Sequence, residues 1–425
     1  MRESDRDERA PILVVGGGIA GMTCALEAAE AGAKVILIEK SASLGGRVAG
    51  FHRYFPKLCP PPCGLEIDFR RLRTNPNITV TTLTELERLQ GEPGDYQAAL
   101  RSAPRFVTAE CTACGACTNV CPAETPDSFN YELSKTKAIH RPHLASYPER
   151  FVIAREACPV ECQACVEACP CGAVDLAQKE SRTTVRVSSV VLATGWEPYD
   201  ATRLDNLGYG QYPNVITNVV LERLAAADGP TAGKIARPSD GKAPRAVAFV
   251  QCAGSRDENH LPYCSGVCCT ASLKQAGYIR AQYPEAKITM FYIDLRTPGQ
   301  LDSFAAKAVA EHGIELIKGK VGKVQEHPAT RDLLVSAEDI LRQRKITREY
   351  DMVVLAVGMV PQSRTLPVEV VKDAYGFAAN GANGDHGIFA AGCLKRPSDV
   401  AATVRDATGT ALCAMQPTLV GASHE

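Results

Sequence analysis

No uninterrupted apolar run in this sequence approaches the ~20 residues that a bilayer-spanning helix requires. A secretory hydrophobic region is missing too, because the start, Met1-Arg-Glu-Ser-Asp-Arg-Asp-Glu-Arg9, is too charged to be one. Neither sign of charge is in excess: the formal net charge is -1, so composition gives no reason to expect nucleic acid or an anionic membrane surface as a partner. Tandem repeats of solenoid period and low-complexity tracts are lacking. The eight histidines form no HExxH or other spaced metal pattern, and His140 and His143 read as loop residues. These absences predict a soluble polypeptide with no transmembrane segment of its own, which can still dock onto a membrane partner. Its 425 residues, 45% hydrophobic, suffice for two or three globular domains.

Cysteine is what the chain has in excess. It carries 18, and in a long chain without a signal peptide reduced, metal-ligating thiols are a better expectation than a disulfide framework. Twelve of them fall into three groups of four, which disulfides have no need to produce.

Hydrophobic periodicity organises the rest. Ile12 to Val15 is an apolar β-run, Met22 to Ala31 a helical pattern and Lys34 to Ile38 the next parallel strand, together a βαβ unit. From Ala103 to about Asp175 the texture turns to Cys, Pro and polar residues. Thr184 to Leu192 then reads as one strand, and Ala225 to Pro244 as a connection. A second βαβ unit follows, with strand Ala246–Val250, helix Thr270–Ala281 and strand Ile288–Ile293. The helical stretch Gly299–His312, the strands Glu315–Ile317 and Met352–Leu355, and an Ala/Thr-rich helical tail complete the chain. The reading is a flavin-binding domain in three pieces (1–105, 181–240 and 365–425), an inserted ferredoxin-like domain (106–180) and a second Rossmann-like domain (241–364).

Between the first strand and helix lies Gly16-Gly-Gly18-Ile19-Ala20-Gly21, the dinucleotide fingerprint. Its glycines let the backbone turn tightly and approach a pyrophosphate, whose charge then faces the helix N-terminus. Glu39 ends the second strand, eighteen residues beyond Gly21, where it can accept hydrogen bonds from ribose hydroxyls. Lys40 follows, and then Leu44-Gly45-Gly46-Arg47 resembles the glycine-rich extension of two-domain FAD reductases. Val190-Val-Leu-Ala193-Thr194-Gly195 looks like the second flavin-side motif of that superfamily, with a partner at Val353–Gly358. Gly387-Ile-Phe-Ala-Ala-Gly392 resembles its final motif, but Cys393 stands where Asp usually continues toward the flavin ribityl chain.

Cys111-x2-Cys114-x2-Cys117-x3-Cys121-Pro122 is a strong [4Fe–4S] signal. Three close thiolates reach three corners of one cubane, and the fourth serves a second cluster. Cys158-x3-Cys162-x2-Cys165-x3-Cys169-Pro170 supplies the complementary half. The expected pairing is Cys111, Cys114, Cys117 and Cys169 on one cluster, with Cys121, Cys158, Cys162 and Cys165 on the other. Zinc and disulfides are the alternatives, and zinc prefers two CxxC pairs or added histidines. Cys171 is a spare that either replaces Cys169 or does nothing.

The strand Ala246–Cys252 ends where a nicotinamide-binding domain would place its first phosphate-cradling glycine. Gln251-Cys-Ala-Gly254-Ser-Arg256 keeps one glycine of such a loop, and Cys264, Cys268 and Cys269 follow. Three readings stand side by side: an unusual [4Fe–4S] site, a redox-active Cys264–Cys268 disulfide, and buried thiols without a role. Cys59 and Cys63, separated by three prolines, offer ligands, a disulfide or a stiff turn. Cys24 and Cys413 read as core residues on helices.

The order of a Gly-Gly-Arg loop, Asn77-Ile78, an inserted Cys-Thr-Ala-Cys-Gly-Ala-Cys run, the Ala-Thr-Gly motif, Gln-Cys-Ala-Gly-Ser-Arg-Asp and a Cys-Cys pair resembles the flavin subunits of heterodisulfide reductase. Tyr54–Glu66 and Leu261–Gln275 most resemble a branch of these, the A subunits of quinone-interacting membrane-bound oxidoreductase complexes. The resemblance implies an α/β, two-domain, thioredoxin-reductase-like FAD fold with an inserted ferredoxin-like [4Fe–4S] domain, and a third cluster on Cys252, Cys264, Cys268 and Cys269. It implies that Lys274 lies by the isoalloxazine, its cation stabilising a reduced, anionic flavin. The competing role for Lys274 is a surface helix lysine. The resemblance further implies two partners: a second subunit with flavin and iron–sulfur clusters, and a haem-bearing membrane subunit. Electrons would pass between the quinone pool and adenylylsulfate reductase, on the cytoplasmic face of the membrane. Its rivals are a subunit of heterodisulfide reductase type that works on a thiol/disulfide system, a stand-alone NAD(P)H oxidoreductase, and an interaction subunit whose flavin is structural.

Overall fold

The computed structural model describes residues 10–364, 366–379 and 387–420; the charged start read above, Met1–Arg9, lies outside the described residues. Two parallel sheets organise it. The first runs in the order Ile388–Ala390, Ser189–Leu192, Ile12–Val15, Val35–Glu39, Ile78–Thr82, so three distant stretches of chain build one sheet. Its central strands are near-continuous aliphatic runs because both faces are covered, one by helices and the other by an antiparallel sheet. Helix Ile19–Glu30 packs with helix Val400–Val420, and Met22, Leu26, Val14, Leu37 and Ala407 share one core.

An antiparallel sheet of Ser181–Val187, Asp95–Ser102 and Thr84–Glu92 lies beside it in the chain order. Here the structure corrects the sequence reading. Thr184 to Leu192 is not one strand: Ser181–Val187 is antiparallel to Asp95–Ser102, whereas Ser189–Leu192 is parallel to Ile12–Val15. The switch is at Ser188, whose N–H donates to the Pro11 carbonyl at 2.9 Å. The same sheet frames the insertion. Ser102 and Ser181 are direct partners, so the intervening residues leave and re-enter on adjacent strands without disturbing the ladder.

The second sheet has the order Val215–Thr217, Met352–Val357, Ala246–Ala253, Lys287–Tyr292, Ile314–Lys318. It begins upstream of residue 241, where the sequence placed its start, because Val215–Thr217 pairs with Met352–Val357 across the long connection. Three residues are too short a run to announce a strand. The antiparallel strands Val321–Glu326, Leu333–Asp339 and Arg344–Tyr350, not anticipated from sequence, cover one side of this sheet. Helices Cys268–Gln282 and Leu301–Glu311 cover the other, through Leu273, Ala276 and Ile279 against Val247 and Phe249. Trp196–Pro198 pairs with Met359–Pro361 and ties the two units together.

Candidate flavin and iron–sulfur sites

The Gly16–Gly21 loop is shaped by close backbone approach. Gly16 has φ +109°, and a Cβ there would lie 2.5 Å from the Ala193 carbonyl oxygen. A Cβ on Gly21 would lie 1.8 Å from the Gly16 carbonyl oxygen, so only glycine fits. The Gly45-Gly46 loop closes over the first: Gly45 N–H donates to Gly17 O at 2.9 Å, and a Cβ on Gly46 would reach the Gly18 Cα at 2.9 Å. Gly18 caps helix Ile19–Glu30 with no side-chain acceptor and no acidic residue in the first turn. Ile19 and Ala20 thus open a helix whose first N–H groups are available to an anion, as a pyrophosphate requires. The residues fit FAD on that observation.

Glu39 performs a task the sequence did not show. It is buried, and its two carboxylate oxygens accept Gly17 N–H at 2.6 Å and Ser41 N–H at 2.7 Å. It thereby fixes the glycine loop directly. Lys40 is exposed, with Nζ 3.5 Å from Gln362 Oε1. Arg47 donates to the Trp196 carbonyl at 3.2 Å and lies over the indole, joining the Gly-Gly-Arg loop to the segment after Ala193-Thr194-Gly195. Thr194 Oγ1 donates to Gln362 O at 3.1 Å. At the last motif, Gly392 N–H donates to Asp406 Oδ2 at 2.7 Å, and Lys395 pairs with the other oxygen of Asp406 at 2.6 Å. The Cys393 thiol is buried, 3.6 Å from Ser398 O and 3.8 Å from Thr403 Oγ1, and burial pushes its pKa up. The side chain is thus engaged with Ser398 and with Thr403 of helix Val400–Val420.

In the insertion the two expected cysteine sets line two separate cavities. Cys111, Cys114, Cys117 and Cys169 surround one with Val107, Phe151 and Val174. Cys121, Cys158, Cys162 and Cys165 surround the other with Ile153, Arg155 and Leu176. Ile139 borders both. Cys117 and Cys165 sit on the short helices Ala116–Val120 and Ala164–Glu167, and burial raises the pKa of each. Cys165 is raised further by the charges of Cys158, Cys162 and Cys121, the other three members of its set. Such crowding favours neutral thiols until a cation neutralises them, and cluster iron supplies that charge. Backbone N–H groups already point at two sulfurs, Ala113 at Cys111 (3.4 Å) and Ala173 at Cys169 (3.2 Å). Among the described residues no three His, Cys, Asp or Glu side chains converge on a single metal ion, and no cysteine is disulfide-bonded.

The second constellation sits at the carboxyl end of its sheet. Cys252 has φ +57°, at a break in register between Val250 and Ala253. This left-handed conformation is costly for a residue with a Cβ and concentrates at functional positions. Burial and the charges of Cys269 and Cys264 push the Cys252 pKa to about 11, opposed by Arg256. Burial raises Cys268 as well, reinforced by Cys269, Cys264 and Cys252. All four thiols therefore act on one another. Cys268 and Cys269 open the helix Cys268–Gln282, which has no side-chain cap, so its N-terminal dipole favours thiolate.

Lys274, on the same helix, is neither at the surface nor unpartnered. It is 8% exposed, pairs with Glu222 Oε1 at 2.8 Å and donates to the Arg53 carbonyl at 2.6 Å. Glu222, 2% exposed, also accepts from His52 N–H (3.0 Å), Gln275 Nε2 (2.7 Å) and Tyr278 OH (3.3 Å). The neighbouring Arg223, 1% exposed, donates to Asn130 Oδ1 of the insertion (2.8 Å) and Gly50 O (3.3 Å), and pairs with Asp228. Glu222 and Arg223, absent from the sequence reading, thus join the flavin-side segment Gly50–Arg53, the insertion and the thiol-bearing helix. Arg105 is a further buried joint, donating to Thr82 Oγ1 at 2.7 Å and to the Ala42 carbonyl; burial pulls its pKa down to about 10. Elsewhere, Cys24 is buried as expected and contacts Ala407 O, but Cys413 is exposed, a correction to the core reading. Cys63 is exposed, and Cys59 points at Lys57 O (3.6 Å).

With this geometry in view, the comparisons separate fold from family. Residues 11–57 match the FAD dependent oxidoreductase family. Thioredoxin reductase of T. acidophilum has a similar structure (TM-score 0.53, 14% identity, 97% of this chain and 100% of that one). The Lactococcus lactis enzyme is equally similar in fold (TM-score 0.52, 13% identity, 97% and 99%). The chain therefore has a thioredoxin-reductase-like fold, with an FAD dependent oxidoreductase match confined to its first strand–helix–strand region. Along nearly its whole length it is similar in sequence to heterodisulfide reductase A subunits. It is 38% identical over 97% of its length to one of the iron–sulfur A subunits of CoB–CoM heterodisulfide reductase from Methanopyrus kandleri. It is 36% identical over 98% to the corresponding polypeptide of the H2:CoB-CoM heterodisulfide,ferredoxin reductase of Methanothermobacter marburgensis. The chain spans 64% of the length of each of these relatives. Among the described residues no helix is long and apolar enough to cross a membrane.

Proposed function

We propose that the chain is the flavin and iron–sulfur subunit of a heterodisulfide reductase-type electron-transfer complex, working with other subunits on a thiol/disulfide system. The observation that carries this reading is the similarity over 97% of the chain to subunits so named. The glycine loop with thiol sets on both sides of the Ala-Thr-Gly motif supports it. When bound, FAD supplies exchange between two-electron and one-electron transfer, and [4Fe–4S] clusters carry single electrons.

The chain's own residues would divide the work as follows. Gly16, Gly18, Ile19, Ala20 and Gly21 would receive the pyrophosphate, with Glu39 holding their loop. Gly45, Gly46, Arg47 and Ala193–Gly195 would border the flavin, and the Gly392–Cys393 backbone its ribityl chain. Cys111, Cys114, Cys117 and Cys169 would hold one cluster, and Cys121, Cys158, Cys162 and Cys165 the second. Cys252, Cys264, Cys268 and Cys269 would hold the third, occupying the strand end that a nicotinamide nucleotide needs. Lys274 would place its cation by the flavin, aimed by Glu222 and the Arg53 carbonyl.

The segments Tyr54–Glu66 and Leu261–Gln275 favour a narrower reading in which the complex exchanges electrons between quinone and adenylylsulfate reductase through a haem-bearing membrane subunit. It is second here because the relatives named above are heterodisulfide reductase subunits. The test is anaerobic purification with iron and sulfide reconstitution. Expected are one FAD and ~12 iron atoms per chain, four for each of three clusters, and no rapid flavin bleaching by NADH or NADPH. Absence of FAD and of any cluster EPR signal would refute the proposal. Co-purification with a haem protein, together with flavin reduction by a quinol, would favour the narrower reading.

A further inference from the structure

Five thiols, not four, line the first cavity of the insertion: Cys111, Cys114, Cys117, Cys169 and Cys171. A cubane takes four thiolates, so one is in surplus. The second cavity shows no such excess, since Cys121, Cys158, Cys162 and Cys165 are its only cysteines. Cys111, Cys114 and Cys117 come from one loop at the spacing that serves three corners. The fourth corner is contested by Cys169 and Cys171, which flank Pro170.

The two candidates differ in surroundings. Cys169 is half-buried, and its sulfur accepts the Ala173 N–H at 3.2 Å. Cys171 is exposed, its sulfur 3.6 Å from Thr112 Oγ1. The turn that carries them has room to adjust. Gly172 has φ +60° with no heavy atom within 4 Å of where its Cβ would be, and its N–H donates to Cys169 O at 3.2 Å.

We infer that Cys171 is a second, interchangeable fourth ligand of the first cluster, giving that cluster two ligation states. The inference rests on the reading that the insertion holds clusters. In the exchange the iron–sulfur bond to Cys169 breaks, one to Cys171 forms, and the proton leaving the Cys171 thiol ends on Cys169. No electron is gained or lost. The Cys169 state keeps its N–H···S bond and its shelter; the Cys171 state puts the ligand sulfur in solvent without that bond. Hydrogen bonds to sulfur and solvent exposure set cluster potentials, so the two states differ in potential.

The test uses the full chain, reconstituted anaerobically, as wild type, Cys169→Ala, Cys171→Ala and the double variant, read by iron and sulfide analysis and by EPR redox titration. Both single variants should keep wild-type iron, with Cys169→Ala shifting the spectrum and midpoint potential of one cluster. The double variant should lose between one and about four irons per chain, as that cluster falls to a three-iron form or is lost. Iron loss in Cys169→Ala equal to that of the double variant would overturn the inference, as would the same loss in Cys171→Ala alone. A Cys111→Ala control separates the two levels of the argument: if it loses no iron, the insertion holds no first cluster and the underlying reading fails.

Discussion

The two parallel sheets offer the same position to different chemistry. In the first, strand Ile12–Val15 turns at Gly16, φ +109°, and helix Ile19–Glu30 starts three residues later. In the second, strand Ala246–Ala253 turns at Cys252, φ +57°, and helix Cys268–Gln282 starts only after a loop that brings in Cys264. Both turns visit the left-handed region, and both helices lack a side-chain cap. The glycine turn leads into a helix start with no side-chain acceptor, whereas the other turn carries a buried thiol. A shared fold therefore does not imply a shared ligand; what the turn residue carries on its Cβ decides.

The harshest way to break the comparison is to give the first turn a side chain. Gly21→Val puts a Cβ where the Gly16 carbonyl oxygen stands, 1.8 Å away, so the loop must open. We expect loss of FAD from the purified protein and more than ~3 kcal/mol of destabilisation, measured by flavin-to-protein ratio and urea unfolding. A variant retaining stoichiometric FAD would show that the loop is not the nucleotide cradle.

Next in size is the joint between the two regions. Glu222→Ala strands the buried Lys274 cation and frees three other donors, which should cost ~3–5 kcal/mol. Lys274→Met combined with Glu222→Leu should recover much of that loss, because no charge is then left buried. A double variant no more stable than Glu222→Ala would show that the pair contributes through something other than mutual neutralisation.

How much of this was readable in advance follows from spacing. The glycine turn and the grouping of the insertion's cysteines around two cavities were legible because both are written in fixed local intervals. Glu222 and Lys274 lie far apart in sequence, on helices with no marker beyond ordinary periodicity, so only folding unites them. Ser188 was invisible for another reason: both strands it separates are rich in β-branched residues, and nothing in that pattern records which neighbour each will pair with. The motif ending at Gly392 likewise marks a backbone turn and does not record that the Cys393 thiol lies against Ser398 and Thr403.

On the flavin side, acid should expose the contribution of one buried histidine. His143 stacks on Phe129, and its Nε2–H donates to the Leu44 carbonyl at 3.3 Å, beside the Gly45-Gly46 loop. Burial pulls its pKa down to about 4. Since the unfolded imidazole titrates near 6.5, the unfolded state binds the extra proton. The contribution is thus complete above about pH 6.5 and declines as pH falls toward 4. Between pH 7 and pH 5 the wild type should lose roughly 1–2 kcal/mol more than His143→Phe, by denaturant unfolding at each pH. Equal losses would remove His143 as the cause.

The smallest predicted effect returns to Cys252 and separates its backbone from its sulfur. A left-handed residue with a Cβ is strained by ~1 kcal/mol or more, and glycine relieves that strain at some cost in chain entropy. In metal-free protein Cys252→Gly should therefore be as stable as wild type or up to ~1 kcal/mol more so, whereas Cys252→Ala keeps the strain and gains nothing. After reconstitution both variants should lose the same iron, about four atoms per chain, while keeping FAD. If instead Cys252→Gly is markedly less stable than Cys252→Ala without metal, the turn is held by packing of the side chain, and the strained conformation is no sign that the position was built to present a thiolate.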